Sequence, residues 1–280
     1  MLKTIQAGDI TKAVKGMVMN ANTDLGADVV AAFKKGFKDE ISPVGKAVFE
    51  TLIENAEIAH AEKVPICQDT GMAVFFVELG QDVHIEGGLL EDAINEGVRQ
   101  GYAEGYLRKS ICDPFTRANT KDNTPAVVIV EIVKGDRLKI IAAPKGGGSE
   151  NMSRLTMLAP SAGKKGIVDF VVKRCEESGS NPCPPVIVGV GIGGSAEKCM
   201  TIAKKALLRP IGSANPDKEL AAMEAEMLEK INALGMGPQG LGGVVFAMAV
   251  HIEKHPCHIA SLPLAVNICC HASRHKEVEL

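Results

Sequence analysis

Apolar residues recur every three or four positions over several long stretches of this sequence, and that spacing predicts amphipathic helices. One stretch has a clear start, because Ser42 can cap a helix whose first residue is Pro43, and its apolar positions continue to about His60. The helices predicted in this way cover residues 10–19, 28–37, 43–60, 89–107, 163–177, 196–208 and 217–234. The first third of the chain is therefore expected to be largely helical.

Runs rich in β-branched residues lie between these helices and predict strands. AVVIVEIV at residues 126–133 and RLKIIAA at residues 137–143 are separated by Lys134-Gly135-Asp136, so we predict that they pair as a hairpin. Further strands are predicted at residues 73–79, 186–190, 244–250 and 262–268. Strands scattered among helices indicate an α/β (mixed α+β) fold. We expect one large domain over residues 1–280, with small mixed or antiparallel sheets packed among many helices.

The composition argues against several classes of function. The chain of 280 residues has 31 Lys and Arg against 34 Asp and Glu, for a net charge of −3, whereas a nucleic-acid surface needs an excess of basic residues. No apolar run reaches the roughly 18 residues of a membrane span. The N-terminal sequence lacks the basic and then apolar pattern of a signal peptide, so we expect a cytoplasmic protein. Neither nucleic acid nor a membrane is an expected partner.

A glycine-rich segment, GVGIGG at residues 189–194, follows a predicted strand and precedes a predicted helix. It matches the dinucleotide-binding pattern G-x-G-x-x-G, but that fold also needs an acidic residue about 20 positions later. The chain has Leu208-Arg209-Pro210 there, so nicotinamide binding is not predicted. Two interpretations remain open: a backbone site for an anion such as a carboxylate, or a tight turn between strand and helix.

Eight cysteines in a chain that we expect in the cytosol suggest metal binding or chemistry rather than disulfides. Cys67 lies in a predicted loop, CQDTG, and Cys183 lies in NPCPP, where three prolines stiffen the backbone. Cys269 and Cys270 are adjacent, and neighbours on a strand point to opposite faces, so one of the two is expected to serve as a ligand. Three thiolates from separate segments are typical of an iron–sulfur cluster that leaves one iron open.

Several motifs then follow one another in a recognisable order: CQDTG, KGGGSEN, NPCPP leading to GIGGS, HIASLP and a terminal C-x-A-x-R. Together they resemble the iron–sulfur (class I) fumarate hydratases and L-tartrate dehydratases, over nearly the whole of an α subunit or N-terminal domain. The resemblance implies a [4Fe–4S] cluster held by Cys67, Cys183 and Cys270, whose open iron binds the substrate hydroxyl and a carboxylate. Cys270 is chosen over Cys269 because the family ligand stands directly at the C-x-A-x-R pattern.

The same resemblance implies roles for residues around the cluster. Gln68, Arg108 and Gly147 are expected to bind substrate, and Asp69 and His258 are expected to be catalytic. His258 would act as a hydrogen-bond donor or proton carrier beside a carboxylate. The remaining cysteines are expected to be packing residues: Cys112, Cys175, Cys199, Cys257 and Cys269.

Single-chain members of this family continue into a second domain that supplies the general base, whereas this sequence ends at Leu280. The resemblance therefore implies a separate β subunit that completes the site for a small dicarboxylate substrate, in an α2β2 hetero-oligomer. The leading hypothesis is the α subunit of an enzyme that interconverts (S)-malate and fumarate. The alternatives are an L-tartrate dehydratase α subunit, a scaffold subunit without a cluster, and a zinc hydrolase.

Overall fold

Every helix predicted from the apolar spacing is present in the computed structural model, which describes residues 2–280. The helices are α1 (Ala7–Thr23), α2 (Ala27–Asp39), α3 (Pro43–Glu62), α4 (Leu90–Glu104), α5 (Gly147–Glu150), α6 (Gly163–Ser178), α7 (Ala196–Ala206) and α8 (Lys218–Asn232). Short 3₁₀ turns lie at Pro160–Ala162 and Pro238–Gly240. No helix within the described residues is long and apolar enough to cross a membrane.

The strands include all those predicted, together with four short ones that were not. They are β1 (Lys3–Gln6), β2 (Met72–Gly80), β3 (Val83–Glu86), β4 (Val127–Val133), β5 (Leu138–Lys145), β6 (Arg154–Leu158), β7 (Val186–Gly193), β8 (Ala247–His255), β9 (Leu262–Cys269) and β10 (Lys276–Glu279). The four additional strands, β1, β3, β6 and β10, are only four or five residues long and contain charged or polar positions, so their apolar signal is weak. The mixed α/β fold class is confirmed.

The chain forms two compact units, and the division falls inside α3. The first unit contains the residues up to Gly26, Ala56–Gly147 and Arg274–Leu280. The second contains Ala27–Asn55 and Gly148–Ser273. The extent of one domain over residues 1–280 stays a prediction.

The first unit contains a four-stranded sheet in the order β10-β5-β2-β4, and this order shows that the predicted hairpin is wrong. Strand β2 lies between the two predicted partners, parallel to β4 and antiparallel to β5. The physical reason is burial: Phe75 and Phe76 of β2 are buried, whereas β4 is exposed or half-buried along its whole length. A central strand pairs with a neighbouring strand on each side, so the more apolar β2 occupies the central position and β4 is an edge strand of the sheet.

The second unit contains a mixed four-stranded sheet in the order β6-β9-β7-β8. Strands β6 and β7 both pair antiparallel to β9, and β7 pairs parallel to β8. Valines 188 and 190 of β7 pack with Phe246, Val266 and Met227 in a fully buried core. The register between β7 and β9 matters for the site, because it pairs Ile187 with Cys269 at one end and Ile192 with Leu264 at the other.

Candidate active site

The CQDTG segment lies in the first unit, between α3 and β2, and its base is fixed by buried hydrogen bonds. The single hydrogen of the Tyr102 hydroxyl is shared between the Thr70 carbonyl oxygen, 2.9 Å from the hydroxyl oxygen, and the Gly71 carbonyl oxygen, 3.0 Å away. The Asn123 amide also donates to the Gly71 carbonyl, at 3.2 Å. Burial raises the pKa of Tyr102 above its ordinary value of 10.0, so the hydroxyl keeps the proton that it donates. These buried hydrogen bonds therefore hold the backbone of the CQDTG segment in one conformation.

Asp69 joins the CQDTG segment to the KGGGSEN segment. Its Oδ1 accepts the N–H of Gly71 at 3.0 Å, and its Oδ2 accepts the N–H of Gly147 at 2.8 Å. A Cβ on Gly146 would lie 3.2 Å from the same Oδ2, which explains why a small residue precedes the contact. Both carboxylate oxygens thus accept backbone donors, and the N–H of Gly147 at the start of α5 is directed to Asp69.

Cys67, Gln68 and Arg108 lie beside this contact in the first unit. The N–H of Asp69 donates to the Cys67 Sγ, and that sulfur lies at the same distance, 3.4 Å, from the Gln68 Oε1. The Thr70 hydroxyl donates to the Arg108 carbonyl at 3.0 Å, while the Arg108 side chain is exposed. The structure therefore joins the CQDTG motif to Gly147 of the KGGGSEN motif and to the backbone of Arg108.

Cys183 lies in the second unit, three residues before β7, with its backbone in the left-handed region at φ 54°. Its side chain is exposed, and its flanking residues Pro182 and Pro184 are buried. Its carbonyl oxygen accepts two hydrogen bonds from His271, one from the backbone N–H at 3.3 Å and one from Nδ1 at 3.0 Å. Because His271 follows Cys270 directly, two of the predicted ligands lie at the same end of the β7–β9 pair.

The two adjacent cysteines differ in burial. Cys269 is the last residue of β9, and its buried side chain packs with Ile187, Leu207 and Ala249. Cys270 follows the end of the strand and is half-buried. The choice of Cys270 as the ligand stays a prediction.

The other cysteines divide by burial. Cys175 and Cys199 are buried, and desolvation raises the pKa of each thiol to about 12, as expected for packing residues. Cys112 is half-buried, and Cys257 is exposed in the loop between β8 and β9, so burial does not account for Cys257.

His258 lies in the exposed β8–β9 loop of the second unit, away from Cys183 and Cys270. It precedes β9 and Cys270 follows it, so the eight residues of that strand separate them by roughly 26 Å at about 3.3 Å per residue. Its Nδ1 accepts the N–H of Ala260 at 3.1 Å, which leaves the proton of a neutral imidazole on Nε2. The catalytic role of His258 stays a prediction, and it is not next to the predicted ligand Cys270 within this unit.

Arg274 is a residue of the site region to which the sequence reasoning assigned no role. Its side chain is 4% exposed, and its Nη2 donates to the Asp69 carbonyl at 2.5 Å. Its Nε and Nη1 are buried without a hydrogen-bond partner among residues 2–280. The sequence contained a signal for this residue, because Arg274 is the arginine of the C-x-A-x-R pattern on which the choice of Cys270 rests.

Residues 2–280 contain no group of three or more His, Cys, Asp and Glu side chains arranged to hold a metal ion. The assignment of Cys67, Cys183 and Cys270 as a ligand set therefore stays a prediction.

Comparison with known proteins identifies the class of protein. The chain matches the family described as fumarate hydratase (Fumerase) over residues 11–279. It therefore belongs to this family, and the expectations of an iron–sulfur fumarate hydratase resemblance and of a hydro-lyase are confirmed at that level.

Similar proteins come from archaea and bacteria. A Methanocaldococcus jannaschii protein, provisionally named L(+)-tartrate dehydratase subunit alpha, is 43% identical over 271 residues, which are 95% of each chain. The L(+)-tartrate dehydratase subunit alpha of Escherichia coli (strain K12) is 35% identical over 269 residues, 95% of this chain and 88% of that protein. The protein of the same name from Shigella sonnei (strain Ss046) matches to the same extent.

Proposed function

We propose that this chain is the α subunit of an iron–sulfur hydro-lyase that interconverts (S)-malate and fumarate. The observation that carries the proposal is the contact of Asp69 with Gly147, because it joins the CQDTG and KGGGSEN motifs into one rigid site beside Cys67. An enzyme of this class needs fixed polar groups next to its cofactor, since binding geometry supplies a large part of the rate.

The donor groups fit an iron–sulfur cluster in their chemistry. Cys67 already accepts a backbone hydrogen bond at sulfur, an interaction that tunes cluster thiolates. Cys183 and Cys270 lie at one end of the β7–β9 pair and are exposed and half-buried, respectively. We propose that these three cysteines hold a [4Fe–4S] cluster. When bound, its open iron would supply Lewis acidity toward the substrate hydroxyl.

Gln68 and Arg108 are the side chains best placed to bind a dicarboxylate in the first unit, because both are exposed beside the fixed segment. The planar guanidinium of Arg108 suits a carboxylate, since it can bond both oxygens. Asp69 remains the proposed catalytic carboxylate and Gly147 a proposed substrate-binding residue, and their hydrogen bond also holds the two loops together.

A β subunit is part of the proposal. The relatives are named as α subunits, which supports the existence of a partner β subunit. We propose that this partner supplies the general base and that the assembly is α2β2. We expect little or no turnover from the purified chain, and turnover on addition of the β subunit. Full activity of the chain alone would contradict this part of the proposal.

L-tartrate is the second candidate substrate, and the names of the bacterial relatives favour it. Tartrate differs from malate by one hydroxyl group, so the two candidates require the same cofactor and different pockets. Parallel measurement of kcat/KM for (S)-malate and L-tartrate with the αβ complex decides between them. A ratio above about 10, or about 1.4 kcal/mol, would identify the preferred substrate.

The cluster is tested by anaerobic reconstitution with iron and sulfide, followed by iron analysis and a visible spectrum. We expect uptake by the unmodified chain and its loss in Cys183→Ser. Cys175→Ser is the matched control, because Cys175 is fully buried in the core of the second unit. No uptake by the unmodified chain, or equal uptake by all three proteins, would contradict the proposal and favour a scaffold subunit.

A further inference from the structure

The segment Cys270–Arg274 contains one proposed ligand and two side chains that hydrogen-bond to the segments of the other two. We propose that Arg274 positions the Cys67 segment and that His271 positions the Cys183 segment, each within its own unit of the chain. The inference rests on the proposed ligand set. Each contact that supports it lies within a single unit of the chain.

Arg274 acts on the Cys67 segment through Asp69. Its Nη2 donates to the Asp69 carbonyl, and the N–H of the same residue donates to the Cys67 sulfur. The Asp69 carboxylate is fixed at the same time by Gly71 and Gly147. Asp69 is therefore held at its carbonyl, its amide and its side chain, and the charged donor in this set is Arg274.

The incomplete hydrogen bonding of Arg274 indicates that stability alone does not account for it. Burying a guanidinium is costly unless its donors are paired, and two of the Arg274 nitrogens are buried with no hydrogen-bond partner in the part of the chain that the structure describes. Arg174 shows the structural alternative: it is also buried, and its Nε, Nη1 and Nη2 contact the Met152 carbonyl, Glu177 and the Met152 sulfur. An energetically costly arginine next to a proposed ligand loop is expected where it serves function.

His271 acts on the Cys183 segment through the Cys183 carbonyl, which accepts both its backbone N–H and its Nδ1–H. A carbonyl oxygen only accepts, so this shorter contact requires the imidazole proton on Nδ1; the Gln239 Nε2, 3.4 Å from the same Nδ1, then donates to the Pro184 carbonyl instead. The next carbonyl, that of Pro184, is held by the backbone N–H and the side-chain amide of Gln239, at 2.9 and 2.6 Å. The left-handed backbone of Cys183 is thus held on both sides, and His271 supplies the contact adjacent to Cys270.

The first test uses Arg274→Met and Arg274→Lys in the full chain without cluster. Hydrogen exchange measured by mass spectrometry should show residues 66–72 exchanging at least tenfold faster in Arg274→Met. Arg274→Lys should restore part of the protection. The melting temperature should stay within a few degrees of the unmodified chain, because a costly buried charge is removed. Arg174→Met is the matched control, and should lower the melting temperature without changing exchange in residues 66–72.

The second test uses His271→Phe, which removes the donor, and His271→Asn, whose side-chain amide can replace Nδ1–H. Exchange around residues 181–186 should accelerate at least tenfold in His271→Phe and recover in His271→Asn. His251→Phe is the control, since His251 is buried elsewhere in the same unit against the Ala206 carbonyl. It should leave residues 181–186 unchanged.

Reconstitution then connects the loops to the cofactor. Iron bound per chain at limiting iron should fall by more than half in Arg274→Met and in His271→Phe, and the conservative variants should recover it. Unchanged exchange in both target segments would overturn the positioning roles even if the enzyme proves to be a hydro-lyase. Faster exchange in a chain that binds no iron would support the positioning roles and contradict the proposed function instead.

Discussion

Two glycine-rich segments in this chain resemble each other in sequence but have different structural roles. KGGGS at residues 145–149 and GVGIGG at residues 189–194 each accompany a strand and lead into a helix. In the first, the N–H of Gly147 donates to the Asp69 carboxylate. In the second, Gly189 and Gly191 lie within β7, where a Cβ would come within 2.1 Å of the Ala203 and Cys199 carbonyl oxygens of α7.

The difference shows what a glycine run does and does not indicate. Glycine at 189 and 191 lets a helix backbone pack directly on a strand, which has no connection with anion binding. Gly193 and Gly194 then form a turn with positive φ, at 86° and 73°, and Ser195 caps α7 by accepting the N–H of Lys198. Of the two interpretations left open for this segment, the structure supports the tight turn. A glycine run indicates an anion site only where its N–H groups meet an acceptor.

The largest effect that tests this comparison is expected for Gly191→Ala. The added Cβ would meet the Cys199 carbonyl at 2.1 Å and the Ala203 amide nitrogen at 2.8 Å, and neither backbone can give way without moving α7. We expect a loss of about 3 kcal/mol or more in the free energy of unfolding, measured by denaturant titration. Gly147→Ala is the comparison, because its nearest neighbour would be 3.8 Å away. Equal losses in the two variants would contradict the distinction.

Removal of the acceptor in the KGGGS segment is expected to have the next largest effect. Asp69→Ala deletes two hydrogen bonds between a carboxylate and backbone N–H groups, a loss of about 2 kcal/mol or more. Iron uptake and the turnover of the αβ complex should fall more than tenfold, because the Cys67 segment loses its contact with Gly147. Asp69→Asn keeps one acceptor oxygen, so its stability, iron uptake and turnover should lie between those of Asp69→Ala and those of the unmodified chain. Unchanged stability with lost turnover would indicate a catalytic role alone.

The carboxylate of Glu40 also accepts hydrogen bonds from backbone N–H groups next to a glycine, those of Val244 and Val245 after Gly243. This contact makes the stability of the chain depend on pH. Burial raises the pKa of Glu40, but hydrogen bonds from backbone N–H groups that include Val244 and Val245 outweigh it, so the pKa is lower than its ordinary value of 4.5. Its contribution to stability is therefore complete above pH 4.5 and is lost as the pH falls through the lowered pKa. Gly243 leaves room for this side chain, since a Cβ would lie 2.5 Å from the Glu40 Oε1.

Glu40→Gln should therefore lower the free energy of unfolding by about 2 kcal/mol at pH 7. The difference from the unmodified chain should shrink as the pH is lowered below 4.5, because protonation removes the same charge. Melting curves between pH 3 and pH 7 measure it. A difference that stays constant over this range would show that the charge of Glu40 contributes nothing.

The smallest effect, with the opposite sign, is expected for a glycine that has no close neighbour. Gly16 lies within α1, and a Cβ there would find nothing within 4 Å. Gly16→Ala should stabilise the chain by about 0.5–1 kcal/mol, because alanine has the higher helix propensity and restricts the unfolded chain. A destabilised Gly16→Ala would show that open space around a glycine is a poor guide in this fold.

The sequence predicted the helices well and the strand pairing badly, for one physical reason. Helices depend on neighbours three and four residues apart, so the spacing of apolar residues determines them locally. The 126–133 and 137–143 runs were paired because they are adjacent in the chain, but β2, which precedes them by about 50 residues, lies between them. Competition for the central position is decided by burial, which the local pattern of two neighbouring strands does not contain.

The candidate site was predictable as motifs and not as contacts. The CQDTG and KGGGSEN motifs contain Cys67, Gln68, Asp69 and Gly147, and the structure joins the two motifs through the Asp69–Gly147 hydrogen bond. The roles of Arg108 and of His258, which β9 separates from Cys270, stay predictions. Arg274 was visible as part of a pattern, but its burial and its hydrogen bond to Asp69 were not.

The sequence by itself determined the family and the helices and predicted a set of site residues, because motifs and helical periodicity are short-range properties. The tertiary structure decided which strand is central and which of two adjacent cysteines is buried. It also decided which glycine donates its N–H to a carboxylate and which glycines allow a helix to pack against them. Those outcomes depend on surfaces that meet across long stretches of chain. The same residue type can therefore pack, turn or bind according to what the fold places against it.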